Sequence, residues 1–229
     1  MGCFISSSVI TLDDEIFIII KNKIETLFLE YETKCDNEEV LLVSNEINDK
    51  YKFSFYDGVK NKFELFDYDN KVKIQGPIYT FGKKGIHKIK MVIKEKIFDF
   101  SYMFYNCVNL RGIEGYINTS DAKNLSWMFS NCTSLVDISA LKNIDVSKVE
   151  NFEGMFNECT SLEDISHIKN WNVGEGKNFC SMFKNCKSLK NINLKSWNVQ
   201  KNGVKFDYIY EGCNIFKNNG NIKGKDPID

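Results

Sequence analysis

Apolar residues return in one fixed phase down the second half of the chain. Phe152, Met155, Phe156 and Cys159 stand at i, i+3, i+4 and i+7, the spacing of one face of an α-helix. The stripe occurs again at Phe100, Met103, Phe104 and Cys107, at Leu125, Met128, Phe129 and Cys132, and at Phe179, Met182, Phe183 and Cys186. A weaker copy is Phe206, Ile209, Tyr210 and Cys213, and the five cysteines are 25, 27, 27 and 27 residues apart. After each of the first four comes Leu-x-x-Ile, as in Leu135/Ile138 and Leu162/Ile165, which predicts a short inward-facing strand. A second apolar pair closes the unit: Ile144/Val146, Trp171/Val173 or Trp197/Val199. A helix, a strand and a second extended side cannot bury their own apolar face, so the units must stack on one another. The arc after the strand varies in length, which is where binding surfaces of repeat proteins usually lie.

The first half has a different period. Glu15 to Ile20 and Ile24 to Tyr31 together hold five isoleucines and favour strands over helix. Val40–Val43 is a buried-type run, Tyr51–Tyr56 alternates, and Asp57-Gly58 offers a hairpin turn. Phe63–Phe66 and Val72–Ile74 are further strands, and Ile78–Phe81 with Ile86–Ile93 reads as a hairpin across Gly82–Gly85. His87, Lys88, Lys90 and Lys94 then decorate its outer face. The expected fold class is therefore α+β: a small β-sandwich-like domain followed by a repeat solenoid of about five rungs. The expected organisation is a candidate lipidated segment at 1–10, a β-rich Ig-like or capping domain at 11–96, the repeats at 97–216 and a tail at 217–229.

Three consecutive units carry a whole phrase: Met128-Phe129-Ser-Asn-Cys132-Thr-Ser-Leu135, Met155-Phe156-Asn-Glu-Cys159-Thr-Ser-Leu162 and Met182-Phe183-Lys-Asn-Cys186-Lys-Ser-Leu189. This resembles the irregular leucine-rich repeats of the BspA-like family, with its short M-F-x-x-C-x-x-L surface-protein repeat. Trp171-Asn-Val173 and Trp197-Asn-Val199 are similar to that family's W-x-V closing strand. The resemblance implies that the rungs make a leucine-rich-repeat-type solenoid used for adhesion or protein binding, with no catalytic residue.

Composition narrows the function further. The formal net charge is -1, from 30 basic and 31 acidic residues, so the strongly basic footprint of a nucleic-acid binder is missing. The chain has no G-x-x-x-x-G-K-[ST] and no G-x-G-x-x-G phosphate loop. No cofactor, metal or small-molecule substrate is expected. The repeat cysteines occupy one phase of an apolar stripe, where a free thiol acts as a small hydrophobe. A row of single cysteines does not converge on a zinc ion. Met1-Gly2-Cys3-Phe4-Ile5-Ser6 fits the N-myristoylation pattern, with Gly2 as acceptor and Cys3 beside it for a palmitoyl chain. Two chains give stable anchoring where one does not. A reducing, cytoplasmic setting follows, with attachment to the inner face of a membrane or, as an alternative, a place at the cell surface.

Five residues are candidates for partner binding. Trp127 is an aromatic at a variable stripe position. His167 lies on the variable arc. Lys187, Lys190 and Lys195 belong to a unit, Phe179 to Lys205, with no acidic residue, and form a patch for an acidic partner or an anionic membrane surface. The expected function is a non-enzymatic interaction or scaffolding module for a protein partner. A structural subunit built permanently into a larger assembly and a surface adhesin are the alternatives.

Overall fold

The computed structural model describes residues 10–12, 15–17, 25–44, 55–190, 194, 196–199 and 203–214. Gly2, Cys3 and Lys195 lie outside the described residues. In chain order the elements are β1 (Ile10–Leu12), β2 (Glu15–Phe17), β3 (Glu25–Thr33), β4 (Glu38–Leu41), helix α1 (Phe55–Val59), β5 (Phe63–Asp67), β6 (Val72–Ile74), β7 (Ile78–Phe81), β8 (Gly85–Ile93) and β9 (Leu110–Gly115). Two short 3-10 turns follow at Ser139–Asn143 and Ser166–Ile168.

Alternation builds the first half. Along β3, Leu27, Leu29, Tyr31 and Thr33 point inward, and in β8 Ile89, Met91 and Ile93 do the same. The antiparallel register sets Leu27 opposite Met91 and Leu29 opposite Ile89, so both strands bury one face. The sheet order is β6-β5-β8-β3-β9, and a separate pair joins β4 to β7. The Tyr31 hydroxyl donates to the Leu42 carbonyl at 2.6 Å, tying the pair to the sheet. The strands β7 and β8 are not partners of each other, because each pairs with an earlier strand. Asp57-Gly58 falls inside α1 and makes no hairpin turn.

The repeats correct the expected fold class. They do not form an α+β leucine-rich-repeat solenoid. The stripes contain no helix, and the described chain is β-rich with open sheets and a single five-residue α-helix. The physical reason is in the backbone. Tyr102 and Asn106, Trp127 and Asn131, Gly154 and Glu158, Ser181 and Asn185, and Tyr208 and Gly212 all have φ between 55° and 76°. Two left-handed residues per stripe are incompatible with a right-handed helix. They close successive tight turns instead: Met103 N–H bonds Phe100 O, and Cys107 N–H bonds Phe104 O. Apolar positions at i, i+3 and i+4 face the same way in this ribbon of turns as they would on a helix. The predicted strand forms after Cys107, as β9, and does not form after Cys132 or Cys159; Ile192, in the fourth repeat, lies outside the described residues. Elsewhere the repeats meet through isolated parallel bridges, Asp99–Asn124, Asn124–Asn151, Asn151–Asn178 and Asn178–Lys205.

What joins the repeats is regular. Phe104, Phe129, Phe156 and Phe183 stack in one column, with ring centroids 5.4–5.6 Å apart and planes within 16°. Cys107, Cys132, Cys159, Cys186 and Cys213 are free thiols and all are buried. Cys132 donates its S–H to Phe104 O at 3.0 Å, and Cys159, Cys186 and Cys213 repeat that contact to Phe129, Phe156 and Phe183. Trp171 and Trp197 stack at 6.4 Å, and their indole N–H groups donate to Leu141 O and Ile168 O. At each corner an Asn or Asp accepts the N–H two residues on, as Asn124 does from Ser126 and Asn151 from Glu153.

Burial pushes the thiols of Cys132, Cys159 and Cys186 well above the ordinary 9.0, and that of Cys213 up to about 11. The unfolded chain releases these protons first, so the fold binds more protons at alkaline pH. Stability is then fully present below about pH 9 and lost as pH rises from there through the folded values. We expect the urea midpoint to fall steadily from pH 9 to 11, and less so in Cys159→Ala, which separates the thiols from the buried Tyr31. A midpoint with the same alkaline slope in both proteins contradicts this.

Candidate interaction surface

Each stripe has a left-handed position just before its methionine, or before Ile209 in the last repeat; it carries a partly or fully exposed side chain except at Gly154, which is buried. These positions are Tyr102, Trp127, Gly154, Ser181 and Tyr208. Trp127 is half-buried and stacks on Tyr102, with centroids 6.5 Å apart and planes at 13°. Tyr105 meets Tyr102 edge-on at 5.5 Å. On its other side Trp127 lies over Gly154: a Cβ built there would sit 2.5 Å from the indole ring. Trp127 therefore packs against the next repeat and still shows part of its ring to solvent. At the far end Tyr208 is 65% exposed, with the Lys184 ammonium 5.2 Å from its ring centre.

This aromatic strip is made at a cost. A bulky residue with positive φ is uncommon, and such positions cost about 1–3 kcal/mol each. Glycine, as at Gly154, occupies the same place without that penalty.

The charged candidates lie elsewhere. Lys187 and Lys190 are exposed on the stretch following Cys186. Lys190 is paired with Glu163 of the preceding repeat, and Lys184 with Glu211 of the following one at 2.9 Å. The acid-free unit is thus flanked by the carboxylates that answer it. The same device recurs along another edge, where Asp121 sits between Lys96 and Lys148 and is held down to about 2 by hydrogen bonds from Lys148 and then Lys96. His167 is half-buried in the 3-10 turn Ser166–Ile168, away from the lysines in sequence and beside Asp164. His87 leaves the lysine-decorated face it was expected to share: it stacks on Phe81 at 4.1 Å, with Nε2 3.0 Å from Thr33 Oγ1. The structure brings Trp127 together with Tyr102, its counterpart in the preceding repeat, and with Tyr105, neither of which was among the candidates read from the sequence. Among the described residues no group of three or more His, Cys, Asp and Glu side chains is placed to hold a metal, and no helix is long and apolar enough to cross a membrane.

Residues 98–223 match the model of a family described as Mycoplasma protein of unknown function, DUF285. The chain belongs to the DUF285 family. No curated protein and no solved structure matches it. The DUF285 match begins at the first repeat and takes in every turn ribbon, so the aromatic strip lies wholly within it.

Gly154 tests how the strip is held. Alanine there pays about 1–2 kcal/mol for its left-handed backbone and about 1–3 kcal/mol more for the clash with Trp127. We expect Gly154→Ala to lower stability by the sum of the two and to red-shift Trp127 fluorescence as the ring is displaced. Wild-type stability with an unchanged spectrum contradicts the packing of Trp127 on Gly154.

Proposed function

We propose that this DUF285 protein is a non-enzymatic binding module whose turn ribbon offers a rigid aromatic strip to a protein partner. The observation that carries the reading is Tyr102, Tyr105 and Trp127 clustered at the surface, two of them at positive φ. Strained positions that persist point toward function when cheaper residues occupy the equivalent sites. Tyrosine and tryptophan are also the side chains that dominate binding energy when a partner desolvates them. The ribbon is fixed by the next repeat on one side and, at its start, by the first half of the chain on the other, so little ordering entropy is lost on association.

The M-F-x-x-C-x-x-L phrase supports kinship with the BspA-like surface-protein repeats, whose uses are adhesion and protein binding. Tethering at the inner face of a membrane through acylated Gly2 and Cys3 belongs to the same reading and rests on the sequence motif. A basic surface at Lys187, Lys190 and Lys195 is the weaker choice, because Lys190 already has Glu163 as partner.

The test is affinity capture from host lysate with the full chain and with a Tyr102→Asn/Trp127→Asn variant. Asparagine tolerates positive φ, so the variant keeps its ribbon, which circular dichroism checks. We expect the captured protein to be lost with the variant and retained with Lys187→Glu. Capture unaffected by the aromatic substitutions contradicts the proposal.

A further inference from the structure

A second candidate site lies in the first half of the chain, away from the repeats. A cleft of about 330 Å³ opens at the end of the sheet where β5, β6 and β8 meet α1. That volume is near the lower end of small-ligand sites, roughly 300–1,000 Å³. Its polar lining includes Lys60, Asn61, Glu64, Lys73, Gln75 and Lys94. The apolar residues beneath, Phe63, Leu65 and Ile74, are buried in the core and offer the cleft little surface.

The charges are unbalanced in a specific way. The ammonium groups of Lys73 and Lys94 both contact the same oxygen of Glu64, Oε1, at 2.5 Å. Two contacts to one atom place the two nitrogens no more than 5.0 Å apart. One carboxylate thus answers two like charges. Lys60 adds a third ammonium to the lining, held at 3.1 Å by Asp57. Hydrogen bonding from Lys73 and then Lys94 lowers the Glu64 carboxyl below its ordinary value. The lining holds three cations, two neutral amides and a single anion.

From this the geometry points to a phosphate-monoester site, built around Lys73 and Lys94 with Lys60 at the rim. A phosphoryl group has several acceptor oxygens on one tetrahedral centre. It can accept from two ammonium groups at this separation while the amides of Asn61 and Gln75 donate to its remaining oxygens. The size of the cleft suits a compact molecule such as a sugar or glycerol phosphate. Glu64 competes with the ligand for the same two lysines, so it acts as an internal stand-in that is displaced on binding. This is a binding site, with no reaction assigned to it, and it departs from the expectation of no small-molecule ligand.

The competition makes the site testable in both directions. Glycerol 3-phosphate is titrated into the full chain by calorimetry, with glycerol as control, and vesicles containing phosphatidic acid are sedimented with it in parallel. Saturable binding to the phosphate ester and none to glycerol is expected. Binding should weaken at least tenfold in Lys73→Met and in Lys94→Met, and strengthen several-fold in Glu64→Gln, which frees both ammonium groups. Response to the soluble ester assigns a free metabolite, and response to the vesicles alone assigns a lipid headgroup. No response to either, or a Glu64→Gln variant that binds more weakly while its circular dichroism is unchanged, overturns the site.

Discussion

Every second backbone N–H in the turn ribbon leaves its own repeat. In the second repeat Met128, Ser130 and Cys132 bond back to Leu125, Trp127 and Phe129, while Leu125, Trp127, Phe129 and Asn131 donate forward to Asn151, Glu153, Met155 and Asn157. The first, third and fourth repeats do the same. This division satisfies a buried backbone without helix or continuous sheet, which is the requirement that any buried segment must meet. It also has a direction. The forward bonds of the ribbon all run from a repeat to the one after it, and on the preceding side the carbonyl of Met103 is taken by the N–H of Ser44. The first half of the molecule thus meets the repeats through hydrogen bonds as well as through β9, which pairs with β3.

The side chains follow from that constraint. A ribbon that brings equivalent positions into contact stacks like on like, so flat rings in the core become a column and a thiol finds the same carbonyl each time. On the outside the same rule would stack like charges. The sequence avoids this by alternating sign between repeats, as in Lys123–Glu150–Lys177 and Glu163–Lys190. Exposed pairs of this kind contribute little stability individually. Their effect is on register, since a slip of one repeat would set lysine against lysine.

The inward positions were legible in the sequence because burial depends on which way a side chain faces. Phe152, Met155, Phe156 and Cys159 are all buried. The backbone that carries them was not legible from the stripe, because a helix and a run of left-handed turns place i, i+3 and i+4 on one side alike. A signal was present in another column. The residue directly before the cysteine is Asn106, Asn131, Asn185 or Gly212 in four of the five repeats, and Asn and Gly are the residues that accept positive φ. Trp127 stood out as an aromatic, but its neighbours Tyr102 and Tyr105 are brought to it by a contact between repeats that spacing within one repeat does not reveal. The β5–β6–β8 cleft was equally hidden, since Glu64 comes from β5, Lys73 from β6 and Lys94 from just past the end of β8.

The proposed binding surface rests on the same backbone. Tyr102 and Trp127 stay in place because each sits in a turn closed within its repeat and bonded to the next. Scalar couplings across hydrogen bonds, measured by nuclear magnetic resonance, read that arrangement directly. Couplings from the amide of Phe129 to the carbonyl of Met155, and from Phe156 to Met182, are predicted; couplings from these amides to the carbonyls four residues before them would show a helix and contradict the account.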